Sequence, residues 1–157
     1  MPDHHLADAE PRNADFPAAY KRMANLQMAI DQGGLDVRIS HLVKLRASQI
    51  NGCAYCIDLH VRDAVEDGIE QHLLHLTHAW REVDAFTARE QAALALTEAV
   101  TLVSEGNVPR AVWDAAAAVF SEEELPVLLW QIIAINAWNR ASIATRKVPE
   151  SLAPGDG

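Results

Sequence analysis

Apolar side chains recur three and four residues apart along most of the chain, and this spacing predicts helices. Between residues 16 and 145 the pattern is interrupted by glycine, proline or asparagine at intervals typical of helix ends. We find no short runs of alternating β-branched residues, which would predict strands. The chain is therefore predicted to be all-α, a single-domain helical bundle of six to eight helices.

The predicted helices begin and end at recognisable residues. The first begins near Pro17 and closes at Gly33–Gly34, and the second ends at Asn51–Gly52, where glycine accepts the left-handed conformation of a helix C-terminus. Capping-box patterns begin at Thr87 and Ser121. We expect a flexible N-terminal arm over 1–15, the helical domain over 16–145 and a C-terminal tail over 146–157. The helices after the first are predicted at about 36–50, 53–67, 70–79, 87–104, 110–119 and 121–144.

The last predicted helix is apolar on nearly every side. A helix without a polar face lies either at the centre of a core or against another subunit. We therefore expect a homo-oligomer built partly on this helix. Its apolar run, 125–138, is shorter than the roughly 20 residues that a membrane span needs.

The net charge of the chain argues against two classes of binding partner. The chain has 157 residues, with 13 Lys and Arg against 22 Asp and Glu, which gives a net charge of −9. An acidic chain is a poor match for a nucleic-acid backbone or an anionic membrane surface, both of which attract Lys and Arg. The first residues contain neither a basic nor an apolar run, so we expect no secretory signal and a cytoplasmic, reducing location.

The candidate chemistry lies in one short segment. The two cysteines of the chain, Cys53 and Cys56, are three residues apart, and His60 follows four residues after Cys56. On a helix these three side chains share one face, and Gly52 places the cysteines at the helix start, where the dipole stabilises a thiolate. Lowering a thiol pKa from about 8.5 to about 6 raises its thiolate fraction at pH 7 from about 3% to about 90%. The imidazole is placed to carry the proton.

Two other interpretations of the cysteines remain open. A structural zinc site needs four ligands, and the chain has no second cysteine pair, so such a site would need Cys53, Cys56, His60 and one distant histidine. Alternatively, both thiols are buried and inert. The spacing itself favours redox use.

The segment from Leu42 to His60, LVKLRASQINGCAYCIDLH, resembles the motif of the alkylhydroperoxidase D-like proteins within the carboxymuconolactone decarboxylase family. The stretches 80–82, 86–90 and 135–140 are also similar to that group, so the resemblance covers most of 16–145. It implies an all-helical fold, assembly into trimers or hexamers, and peroxide reduction without flavin, haem or metal.

The resemblance also implies a role for each site residue. Cys56 would attack the peroxide and become a sulfenic acid, and Cys53 would resolve it as a disulfide and meet the external reductant. His60 would shuttle protons. The reductant would be a dithiol, such as a lipoylated protein.

The sequence departs from the family at one position. Twelve residues before the first cysteine the family's proton relay usually has a Glu, whereas this chain has His41. An imidazole can relay a proton but does not supply a fixed negative charge. Ser48 and Gln49 are polar neighbours that could substitute. We expect His41→Glu to raise peroxide turnover.

A thiol-dependent (alkyl) hydroperoxide reductase is thus the leading hypothesis. The first alternative is a redox-sensing or general disulfide-exchange oligomer without peroxidase turnover. The second is a lactone decarboxylase of the carboxymuconolactone type, which needs acid–base groups and no thiol pair.

Overall fold

A computed structural model describes residues 10–153, so the first part of the predicted arm and the final residues 154–157 lie outside it. Within 10–153 there are seven α-helices and no strand, which confirms the all-α prediction. Three short 3₁₀ turns accompany them, at Thr77–Glu82, Val103–Glu105 and Glu150–Leu152. The helices are α1 (Pro17–Asp31), α2 (Val37–Asn51), α3 (Ala54–Glu66), α4 (Gln71–Leu76), α5 (Ala88–Thr101), α6 (Arg110–Ala117) and α7 (Glu124–Ala144).

The capping box predicted at Thr87 is formed, whereas Ser121 makes the same hydrogen bonds in the turn just before α7, which begins at Glu124 and not at 121 as predicted. The Thr87 hydroxyl accepts a hydrogen bond from the Glu90 backbone (3.2 Å), and the Glu90 carboxylate accepts one from the Thr87 backbone (2.7 Å). Ser121 and Glu124 make the same exchange at 3.1 and 2.9 Å. Each pair satisfies backbone N–H groups that the first helical turn leaves without partners.

Helix α2 is central to the bundle. It packs against α3, α5 and α7 and contributes to two apolar clusters. Packing from several sides fixes the polar residues that α2 also carries. The first cluster includes Ile39, Val43, Leu96, Leu128 and Ile132, and the second includes Leu42, Leu45, Leu74, Trp80 and Leu94.

Helix α7 has apolar side chains both in the core and on the surface of the subunit. Leu128, Ile132 and Ile135 are fully buried, whereas Trp130 and Ile133 expose 48% and 36% of their surface. The predicted contact with another subunit stays a prediction, and these two side chains are where it would form. In the part of the chain that the structure describes, no helix has the length and apolarity to cross a membrane.

The segments outside the bundle pack onto it where they are described. Near the N-terminus, the Arg12 backbone donates to the Thr145 carbonyl (2.9 Å) at the end of α7. Beyond α7, the chain returns to α3, where Glu150 accepts hydrogen bonds from Arg62 (2.8 Å) and Tyr55 (3.2 Å). The described part of the predicted tail therefore lies against the helix that follows the cysteines.

Candidate functional site

A tight turn places the two cysteines. Gly52 ends α2 in the left-handed conformation (φ 69°, ψ 32°), as its residue type predicted. Cys53 then has extended backbone angles and is the N-cap of α3, while Cys56 lies in the first turn of the helix. Cys53 thus precedes the helix by one residue, so the predicted shared helical face applies to Cys56 and His60 alone.

The two sulfurs form a disulfide, with the Cα atoms 5.3 Å apart. Both cysteines are buried, with 1% and 3% of their surface exposed. The Cys56 backbone N–H also points at the Cys53 sulfur (3.3 Å). The pair is therefore in its oxidised form, which a dithiol can reduce by disulfide exchange.

A cavity of about 550 Å³ reaches one sulfur of this pair. Cys56 and His60 line it, whereas Cys53 does not. Tyr20 and Trp138 form part of the wall in an edge-to-face contact, with ring centroids 5.4 Å apart. A molecule entering from solvent would therefore meet Cys56. The other lining side chains include the apolar Met28, Leu59 and Ile135 and the charged Asp31, Lys44, Asp63 and Lys147.

His60 is neutral in this environment. Burial, together with the smaller effect of the charges of Lys44 and His41, lowers the pKa of His60 from 6.5 to about 3. Its Nδ1 atom is enclosed and has no hydrogen-bond partner. A neutral imidazole beside the cavity can accept a proton, but it holds that proton only while a negative charge forms nearby.

His41 lies close to this imidazole, on α2. It is buried, and its Nε2 atom is 2.7 Å from the Asp67 carboxylate, which follows the end of α3. Its Nδ1 atom is enclosed without a partner. No sequence pattern indicated Asp67, because a contact across 26 positions has no local spacing to reveal it.

Lys44 is a further member of the site that sequence reasoning missed. It lines the cavity, and burial lowers the pKa of Lys44, opposed by the charges of Asp31, Asp63 and Asp67. The sequence did contain one indication of Lys44, because Lys44 follows His41 by three residues and therefore lies on the same helical face. Lys44 therefore places an amino group close enough to His60 to affect its pKa.

The two polar neighbours that the sequence offered as relay substitutes lie elsewhere. Ser48 donates to the Lys44 carbonyl (2.7 Å) and accepts from the Asn139 amide (3.0 Å). The Asn51 amide donates to Asn139 (2.9 Å) and to Asn136 (3.0 Å). We call Ser48, Asn51, Asn136 and Asn139 the asparagine network, and it joins α2 to α7 just before the cysteine turn. The remaining neighbour, Gln49, has a buried Oε1 atom without a partner.

The zinc interpretation finds no support in the geometry. Among residues 10–153, no three His, Cys, Asp or Glu side chains are grouped so that they could hold a metal ion.

Comparison with known sequences agrees with this architecture. Residues 14–99 match the Carboxymuconolactone decarboxylase family. The uncharacterized protein YdfG of Bacillus subtilis is 37% identical over 128 residues, which span 82% of this chain and 87% of YdfG.

Solved structures show the same fold. A protein of unknown function from Agrobacterium tumefaciens, suggested to be the antioxidant defence protein AhpD, is 38% identical, with a TM-score of 0.83 over 85% of this chain and 92% of its own. The debrominase Bmp8 superposes with a TM-score of 0.77 over 86% of this chain and 73% of its own. At 20% identity, Bmp8 supports the fold alone.

Proposed function

The chain belongs to the carboxymuconolactone decarboxylase family, as an AhpD-like member, and from this premise we propose that it is a thiol-dependent hydroperoxide reductase. One observation carries the proposal. Cys56 faces a cavity of about 550 Å³ while it is joined to Cys53, with the neutral imidazole of His60 lining the same cavity. A nucleophile, a resolving thiol and a proton carrier are thus together.

In the first step, the Cys56 thiolate attacks one oxygen of the peroxide bond. A sulfur–oxygen bond forms, the oxygen–oxygen bond breaks, and the alkoxide that leaves takes a proton to become an alcohol. His60 is proposed to take the proton from the Cys56 thiol and to deliver it to this alkoxide. The charge that forms in the cavity would stabilise the short-lived imidazolium, because an opposite charge favours the protonated form.

In the second step, the Cys53 sulfur attacks the sulfenic acid on Cys56. The disulfide forms, and the hydroxide that leaves takes the Cys53 thiol proton and departs as water. Together the two thiols have lost two electrons and two protons to the peroxide.

An external dithiol is proposed to restore the thiols by disulfide exchange, and a lipoylated protein fits this chemistry. The resemblance assigns the encounter with the reductant to Cys53, whereas the cavity reaches Cys56. Trapping the mixed disulfide with each single Cys→Ser variant identifies the sulfur that the dithiol attacks.

The subunit is proposed to work as a homo-oligomer, a trimer or hexamer. The exposed Trp130 and Ile133 on α7 support this proposal, because large apolar side chains exposed together mark association surfaces. Light scattering after gel filtration measures the subunit number, and Trp130→Lys should lower it.

Peroxide consumption with excess dithiothreitol tests the activity. Wild type should turn over many times, and Cys56→Ser should reduce turnover to background. Cys53→Ser is the matched control for loss of a buried thiol, and without dithiothreitol it should still react once and leave a sulfenic acid that dimedone labels.

Two results would replace the proposal. Consumption of one oxidant equivalent per subunit, with dithiol present, would favour a redox sensor or disulfide-exchange protein. Lactone decarboxylation that survives the double Cys→Ser change would favour the decarboxylase.

A further inference from the structure

The hydrogen bond between His41 and Asp67 determines which nitrogen of His41 is basic. A carboxylate only accepts hydrogen bonds, so the Nε2 atom that lies 2.7 Å from Asp67 carries the hydrogen. In the neutral ring, Nδ1 then has the free electron pair, and this atom is buried without a partner. A neutral His41 can therefore receive a proton on Nδ1, the nitrogen that does not face Asp67.

His60 presents a similar atom nearby. Its Nδ1 is also enclosed and unpartnered, and the charge of His41 is close enough to act on it. Buried polar atoms without partners are uncommon in proteins and are often found where protons or water move. Asp67, by contrast, exposes 51% of its side chain to solvent. His60 thus lies at the cavity, His41 in the interior and Asp67 at the surface.

We propose that Asp67 is a positioning residue for the peroxide reductase reaction, and that it acts through His41 to pass protons between His60 and solvent. The inference rests on the proposed function and extends it. In chemical terms, the pair of His41 and Asp67 supplies the negative charge that His41 alone lacks.

The reductive half of the cycle is the step that needs this path. A dithiol attacks as its thiolate, so its proton has already gone to solvent. This attack breaks the sulfur–sulfur bond of the protein, forms a mixed disulfide and releases one cysteine as a thiolate. The second sulfur of the dithiol then displaces the other cysteine, so the dithiol becomes a disulfide and the protein gains two electrons and two protons. His60, which lines the same cavity as Cys56, is the proposed proton carrier, and solvent is the source.

The charged groups around the path set its pH dependence. Lys44 from α2 opposes protonation of His60, while carboxylates from α1 and α3 favour a positive charge on Lys44. The groups facing the two imidazoles are Asp31, Lys44, Asp63, Asp67 and Lys147.

Asp67→Asn tests the proposal because it keeps the shape and removes the charge. Glu66→Gln is the matched control, since it removes a neighbouring exposed carboxylate from the same helix end. The rate of disulfide reduction by dithiothreitol is measured from pH 5.5 to 8.5, together with peroxide turnover. Asp67→Asn should slow reduction about tenfold at pH 7, which is less than the roughly 10²–10⁴-fold contribution of a direct acid–base group because Asp67 acts through His41.

Two further readouts separate proton transfer from simple structural damage. Added imidazole buffer should restore the rate of Asp67→Asn by supplying protons directly, and Asp67→Glu should keep most of the activity. Glu66→Gln should behave as wild type.

Equal rates and pH profiles for Asp67→Asn and Glu66→Gln would overturn the inference. A slow Asp67→Asn whose rate imidazole does not restore, together with an equally slow Asp67→Glu, would also overturn it. The disulfide-reduction rate needs no peroxide. A wild type without peroxide turnover would therefore refute the proposed function, while the same rate measurements would still decide on Asp67.

Discussion

Helix α2 contributes to two buried polar clusters, and the two differ in how far hydrogen bonds satisfy them. In the asparagine network, Asn139 is fully buried, and its side-chain oxygen and nitrogen both have partners. At the candidate site, His41 and His60 each keep an enclosed nitrogen without one. The satisfied cluster holds the backbone before the cysteines, and the unsatisfied cluster leaves groups free for chemistry beside them.

The free energies of buried hydrogen bonds show what each arrangement contributes to stability or costs. A satisfied buried hydrogen bond contributes about 1 kcal/mol, whereas an unsatisfied buried group costs about 1–3 kcal/mol. Functional sites commonly keep such costs because activity depends on the free group. The comparison therefore predicts that substitutions in the two clusters have opposite effects on stability.

Asn139→Ala should have the largest effect on stability. It removes both amide hydrogen bonds and leaves a small cavity, so we expect a loss of about 3 kcal/mol in the free energy of unfolding. Urea unfolding measures it. Gln49→Ala is the control, because its buried Oε1 has no partner, and its cost should be under about 1 kcal/mol. Similar losses for the two variants would mean that the hydrogen bonds of Asn139 do not explain its contribution to stability.

Acid should destabilise the protein through His60. Its pKa is lowered from 6.5 to about 3 on folding, mainly by burial, so between these values the unfolded chain binds more protons. Stability is therefore complete above pH 6.5 and falls as the pH decreases towards 3, by up to about 1.4 kcal/mol per pH unit.

Unfolding of the oxidised protein at pH 7, 6, 5 and 4.5 checks this slope. His60→Gln lacks the titrating ring and should flatten the dependence. The same slope in wild type and variant would show that His60 is protonated as easily in the folded protein as in the unfolded chain.

His60→Leu should raise stability by about 1 kcal/mol at pH 7, because it removes an enclosed nitrogen that has no partner. Peroxide turnover should fall in the same variant. Thermal unfolding tests the predicted gain in stability, and the peroxide assay tests the predicted loss of turnover. A less stable His60→Leu would mean that the ring has stabilising contacts that outweigh its unsatisfied atom.

His41→Glu should have the smallest effect, a change of a few-fold in turnover. The sequence predicts an increase, but the structure places the new carboxylate beside that of Asp67, where like charges repel. The double variant His41→Glu with Asp67→Asn should therefore be faster than His41→Glu alone. Faster turnover in His41→Glu than in the double variant would mean that the new side chain turns away from Asp67.

The sequence by itself determined the features that arise within one or two helical turns. Periodicity predicted the helices, Thr87 predicted the cap of α5, and Gly52 predicted the left-handed turn. The spacing of Cys56 and His60 placed both on one face of α3, where both line the cavity. These features depend on neighbouring residues, so local physics is enough to specify them.

Tertiary structure alone decided which distant groups meet. Asp67 approaches His41 across 26 positions, and Asn139 approaches Ser48 across 91. The cavity wall joins Tyr20 of α1 to Trp138 of α7. Such contacts follow from how whole helices pack, and a one-dimensional pattern records which face is apolar but not which partner covers it. For this reason the sequence identified the reactive pair, and the fold identified the groups that surround it.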